Sequence, residues 1–153
     1  MHPMIIYIGA DHRGFYLKEE LKRQLKKDGY EVVDMGNAES DQNDDYPDFA
    51  RDVARKVSGA GNEVRGILIC SSGIGVDVAA NKFDGVRSAL AMSVEHVRAG
   101  RNDDDVNVLS LAAEFTAPAD AYAIARAFLA TPFEGEERRV RRLKKIEAIE
   151  REQ

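Results

Sequence analysis

The stretch Gly66-Ile67-Leu68-Ile69-Cys70-Ser71-Ser72-Gly73-Ile74-Gly75, running on through Val78-Ala79-Ala80-Asn81-Lys82, constrains this chain more than any other. Ile67 to Ile69 is short, wholly apolar and bounded by a glycine, the pattern of a strand buried on both faces. Composition then switches abruptly to serine and glycine, and the small residues that follow suit a helix lying close against a sheet. Backbone N–H groups converge where a buried strand turns through glycines into a helix, and the helix dipole adds to them, so such a turn favours anions. In an open α/β sheet this edge is also where ligands bind.

Cys70, the single cysteine, stands on the last residue of that strand. It reads either as a small buried hydrophobe or as a thiol whose thiolate is favoured by neighbouring amides, fit to be a nucleophile or general base. Its position at the edge of the turn favours a chemical role.

The rest of the chain repeats the alternation. Met4 to Ile8, Tyr30 to Asp34, Val86 to Ala91 and Val106 to Leu111 read as four more strands. Between them lie helical patterns carrying Leu17, Leu21 and Leu25, then Phe49, Val53 and Val57, then Val94 and Val97 behind Ser93 as N-cap. Ala121, Ile124, Ala125 and Phe128 mark another helix, and Arg101 to Asp105 reads as a polar connection. Strands alternating with helices predict a three-layer α/β/α fold around a doubly wound, mostly parallel five-stranded sheet of Rossmann type. One domain over 1–153 is expected, with an extended, highly charged C-terminal helix over about 134–151. Its narrow apolar seam of Val140, Leu143, Ile146 and Ile149 suits the domain surface or a second subunit. Right-handed crossovers should bring Asp11, His12, Cys70 to Gly75 and Asp103 to Asp105 to one region of the sheet.

A net charge of −5 argues against nucleic acid and anionic membranes as partners. No apolar run approaches the roughly 20 residues of a membrane span. One cysteine excludes an internal disulfide, so a soluble cytoplasmic protein is expected. The turn Gly9 to Gly14 lacks dinucleotide spacing, and its Asp11 would repel a pyrophosphate. Asp11 and His12 side by side suit sugar hydroxyls, through bonds given and taken; alternatively, His12 is a surface histidine. Asp103 to Asp105 reads first as a solvated acidic loop, and a Mg²⁺ site shared with Asp11 is the other reading. The arginines at 138 to 142 form a solvated helix face on which Arg138 and Arg142, four apart, could grip one phosphate.

These residues together resemble the type B ribose 5-phosphate isomerases and the galactose 6-phosphate isomerase subunits. The resemblance is carried by Gly9-Ala10-Asp11-His12 with Gly14 and Leu17-Lys18, by Asp45-Tyr46-Pro47-Asp48, by Gly66 to Lys82, by Asn107-Val108-Leu109 and by the C-terminal arginines. It implies an aldose–ketose isomerase working through a cis-enediol without metal or cofactor. Ribose 5-phosphate is the default substrate; another aldose phosphate, an unphosphorylated aldose, and a non-catalytic sugar-binding role are the alternatives. Cys70 would move the proton between C1 and C2, the carboxylate used by some members being replaced here by Val76. Ser72 would assist ring opening, and the amides of Ser71, Gly73, Ile74 and Gly75 would stabilise the enediolate. Asp11, His12, Arg138 and Arg142 would bind substrate.

The resemblance also implies a homodimer or homotetramer whose sites borrow residues from a neighbouring subunit. Asp103 stands at the family's ring-opening histidine and Asp104 at a substrate-binding asparagine. Glu114 replaces a phosphate-binding arginine and Arg139 a histidine. The added negative charge predicts weak activity on ribose 5-phosphate, with Arg138, Arg141 and Arg142 drawn to Asp103 and Glu114 instead of a phosphate.

Overall fold

Ile5–Ala10, Val64–Cys70 and Val108–Ala112 are mostly apolar, and each forms an interior strand: β1, β3 and β5. The shorter Glu31–Asp34 (β2) and Ser88–Leu90 (β4) take the two edges. In the computed structural model, which describes residues 4–153, the strand order is β2-β1-β3-β5-β4 and every pairing is parallel. The expected three-layer α/β/α fold is therefore observed.

Among the described residues five helices cover the two faces, α1 (Phe15–Lys27), α2 (Tyr46–Val57), α3 (Ile74–Ala80), α4 (Val94–Asp104) and α5 (Pro118–Ala130), and a sixth, α6 (Glu137–Arg151), lies outside them. Strand alternation sends Ile67 and Ile69 to one face and Leu68 and Cys70 to the other. On the first face α1, α4 and α5 bury Leu21, Leu25, Val97, Ile124 and Phe128. On the second, α2 and α3 bury Ala50, Val53, Val57, Val76 and Ala80. Full burial of each larger aliphatic side chain contributes about 1.5–3 kcal/mol. Right-handed crossovers explain the division, since α2 and α3 carry the chain one way across the sheet while α1 and α4 return it.

The Ser93 side chain caps α4 as expected, accepting the His96 amide at 3.1 Å. The helix then runs on through Asp104 and ends at Asp105 in the left-handed conformation, so Arg101 to Asp104 is helical rather than a polar connection. This corrects the expected convergence. Asp103 to Asp105 precede β5 instead of following it, which puts them at the N-terminal edge of a parallel sheet whose C-terminal edge carries Cys70. The five residues of β5 separate the two edges by about 16 Å. Arg101 is committed at this N-terminal edge: it is buried, with Nη1 2.8 Å from Asp105 Oδ1 and Nε donating to Thr131 O at 2.9 Å. The receiver-like Mg²⁺ arrangement of Asp11 with Asp103 to Asp105 is excluded by the same separation.

At the C-terminal edge the connection from β2 to α2 is pinned beside β1. Met35 N donates to Ile8 O at 2.8 Å, Ala10 N to Gly36 O at 2.9 Å, and Asn37 N to Ala10 O at 3.0 Å. Beneath it lies Lys18, whose side chain is 0% exposed. Its ammonium donates to Asp34 Oδ1 at 2.8 Å, to Oδ2 at 3.0 Å and to the Asn37 carbonyl. Burial pushes the Asp34 carboxyl up, but the hydrogen bonds from Lys18, Lys22 and the Gly36 amide outweigh it and hold the group below its ordinary range.

Asp34→Asn leaves the buried Lys18 ammonium without its countercharge, and should destabilise the fold by about 3–5 kcal/mol at neutral pH. Because the folded carboxyl titrates below the unfolded one, this contribution is present above the unfolded value of about 3.9 and is lost as pH falls through the lower folded value. Denaturant titrations should therefore show the gap between wild type and Asp34→Asn closing in acid; a gap independent of pH would contradict the assignment.

Candidate active site

Three strand-to-helix turns meet at the C-terminal edge: Asp11 to Gly14 after β1, Ser71 to Gly73 after β3, and Ala113 to Ala117 after β5. The sheet order sets the β3 turn between the other two. It stays joined to the β5 turn past the strand ends, with Ala113 N donating to Cys70 O at 2.9 Å and Glu114 N to Ser71 O at 3.0 Å.

Cys70 is a free thiol, 4% exposed, packed on the α2/α3 face with Leu68, Val76 and Val108. Position 76 on α3 is a fully buried valine, which supplies no carboxylate. Gly73 is left-handed, with φ at +72°, and a Cβ there would lie 2.6 Å from Leu90 Cδ1 and 2.9 Å from the Leu111 carbonyl carbon. Only glycine lets the chain turn this tightly over β5. At Gly75 a Cβ would meet the Tyr46 ring at 2.6 Å, so that ring lies against the turn and forms one wall of the site. The helix behind the turn has just seven residues, which limits its dipole. One of the expected free amides is also occupied, Ile74 N donating to Ser72 Oγ at 3.2 Å.

On the β1 turn Asp11 is 6% exposed, its Oδ1 accepting the amides of Arg13 at 3.0 Å and Gly14 at 3.2 Å. Burial dominates and holds its carboxyl above the ordinary range against those two hydrogen bonds and the neighbouring His12. The imidazole Nδ1 of His12 lies 2.7 Å from Asp44 Oδ1, which also accepts the His12 amide at 3.0 Å. Burial raises Asp44, while its bonds with His12 and with Asn37 Nδ2 bring it below the usual carboxylate value. His12 is thus oriented by a carboxylate from the β2–α2 connection, leaving Nε2 as its nitrogen for a ligand. Asp11, His12 and Asp44 offer ligand atoms all within 4.8 Å of one another, close enough to hold a cation. The atoms Asp11 Oδ1 and His12 Nδ1 are already engaged in bonds within the protein, which suits proton handling better.

Asp44 is not prominent in the sequence, lying in a long acidic stretch, and Tyr46 is marked there only as part of the Asp45-Tyr46-Pro47-Asp48 motif and not as a wall of the site. The available signal is topological, because a β2–α2 connection must pass the end of β1. Arg13 was likewise unmarked. It forms an ion pair with Glu114 across the mouth of the site, so Glu114 is neutralised from β1 and not by the C-terminal arginines. Asp103 is held by Arg139 at 3.1 Å rather than by Arg138, Arg141 or Arg142. Arg138 lies 3.2 Å from Glu136, and Arg142 is exposed on α6. Of the residues expected to share one site, this chain brings together Asp11, His12, Cys70, Ser71, Ser72, Gly73, Ile74 and Gly75. Asp103, Asp104, Arg138 and Arg142 lie elsewhere, on α4 and α6.

Residues 6–146 match the sequence profile of the Ribose/Galactose Isomerase family. The chain is 43% identical over 147 residues to the probable ribose-5-phosphate isomerase B of Mycoplasma genitalium, covering 96% of each. It is 37% identical over 152 residues to ribose-5-phosphate isomerase B of Mycobacterium tuberculosis, covering 99% of this chain and 93% of the relative. The crystal structure of the Mycoplasma genitalium isomerase with bound ribulose-5-phosphate superposes with a TM-score of 0.95 at 41% identity, covering 100% of both chains. The chain belongs to the ribose/galactose isomerase family.

Proposed function

We propose that the protein interconverts ribose 5-phosphate and ribulose 5-phosphate through a cis-enediol. The observation that carries this reading is the placement of Cys70. It stands at the end of β3, between the Asp11–His12 turn and the Ala113–Glu114 turn, where relatives named for this reaction share the fold. The Cys70 thiolate takes the proton from C2 of the open-chain aldose while O1 gains one, giving the enediol. Loss of the proton on O2 and return of the Cys70 proton to C1 then yield the ketose. The turn amides that remain free stabilise the charge developing on O1 and O2. With its oxygen already accepting the Ile74 amide, Ser72 has its O–H to give during ring opening. Asp11 and His12 hold sugar hydroxyls. No step calls for a cofactor, and a phosphorylated sugar, retained inside cells by its charge, fits a cytoplasmic enzyme. Among the described residues no helix is long and apolar enough to cross a membrane.

Asp103, Asp104, Arg138 and Arg142 can serve such a site only from a neighbouring copy. Supporting that arrangement, α6 buries none of its residues within the chain, and Ile149 is 54% exposed on its apolar seam. A symmetric dimer that packs this seam would give each site groups from two chains.

Cys70→Ala should lower turnover of ribose 5-phosphate at least about a hundredfold with the fold intact, as for a lost general base; unchanged turnover would rule out the assignment. Mixing Cys70→Ala with Arg142→Ala subunits tests the shared site. Random pairing should restore about a quarter of wild-type activity, since half the dimers then carry one intact site. No recovery after verified subunit exchange would place each site within one chain.

A further inference from the structure

The five strand-to-helix turns of the C-terminal edge are unevenly charged. Among the described residues they hold six acids, namely Asp11, Glu39, Asp41, Asp44, Asp45 and Glu114. Against these stands a single lysine or arginine, Arg13. Lys18 lies beneath them, fully buried and committed to Asp34. A phosphate dianion arriving at this edge thus meets one permanent cation belonging to the chain itself.

That cation is not idle. Its guanidinium Nη2 bonds Glu114 Oε1, joining the β1 turn to the β5 turn. Because β3 lies between β1 and β5, the pair spans the end of the strand that carries Cys70. Both partners are about half exposed, at 54% and 46%. Ion pairs so open to water add little to stability, and the sheet does not need this one as a strut. The Arg13 amide is separately fixed to Asp11 at 3.0 Å, so the side chain can change partner without moving the turn.

We infer that Arg13 is a phosphate ligand held in reserve by Glu114, and that the two form an exchangeable latch over the site. This rests on the sugar-phosphate reading above. An arriving phosphate offers the guanidinium two oxygens in the same fork geometry as a carboxylate, with up to twice the charge. Arg13 would leave Glu114 for the phosphate, and the released carboxylate would turn to water. An unphosphorylated aldose has no group to make this exchange, so the latch selects phosphorylated substrates in an otherwise acidic mouth.

The test is calorimetric binding of ribulose 5-phosphate and of inorganic phosphate to wild type, Arg13→Gln, Glu114→Gln and the double variant, with steady-state kinetics alongside. For an exchangeable pair the single variants must act in opposite directions. Arg13→Gln should weaken both ligands by about tenfold or more, the loss of one charge-assisted contact. Glu114→Gln should tighten them severalfold by removing the competitor, and should lower KM more than it changes kcat. The double variant should match Arg13→Gln, because without the cation Glu114 has nothing to withhold. Weakening by both single variants, as for a structural strut, would overturn the inference, and so would no effect of Arg13→Gln. Wild-type protein that binds both ligands through Arg13 but does not isomerise ribose 5-phosphate would preserve the latch and refute the assigned reaction.

Discussion

Burial of β3 on both faces is the constraint on which the rest of the molecule depends. With Ile67 and Ile69 under one helical layer and Leu68 and Cys70 under the other, the strand has no solvent face. Helices must cover both sides, and the crossovers linking parallel strands supply them. The same burial fixes the register of β3 against its neighbours, since a slip of one residue would exchange the two aliphatic sets. Cys70 therefore reaches the sheet edge as the last rung of a rigid ladder, and the turn beyond it inherits that precision.

Electrostatics at this edge are arranged in pairs of unequal depth. Lys18 and Asp34 lie low and hold the β2–α2 connection in place, which carries Asp44 to the ring of His12. Above them Asp11 is nearly buried, and burial works against its charge even as two amides support it. Arg13 and Glu114 form the outermost pair, in contact with water. Going outward, the groups pass from fixed to exchangeable, the order expected of a scaffold beneath a binding surface.

Much of this could be read from the sequence, because the signals were local. The strand ending at Cys70, the glycine turn, Pro47 at the start of α2 and Ser93 capping α4 each follow from a few consecutive residues. The misreading of Asp103 and Asp104 came from a different source. Loop or helix, residues directly before β5 enter it at its N-terminal edge, and nearness to β5 in the chain is not nearness to its C-terminal end. Long-range pairs were invisible for the opposite reason. Nothing local joins Arg13 to Glu114 or Arg139 to Asp103, and which arginine answers which acid is decided by three-dimensional packing alone. The glycines at 73 and 75 were recognised as a turn, but not as seats for Leu90 and the Tyr46 ring.

The C-terminal helix is tied down at its two ends. Arg139 reaches the Asn102 carbonyl and Asp103 near its start, and Glu150 accepts the Gly85 amide near its finish. Between these tethers no side chain is more than partly buried, and a free helix of this length is only marginally stable. Its order is consequently borrowed. A surface that covers the seam raises the helix's local stability by mass action, and dilution of that surface lowers it again. If a second copy supplies that surface, as proposed above, the order of the last fifteen-odd residues would follow protein concentration more than that of the sheet, which is buried within one chain.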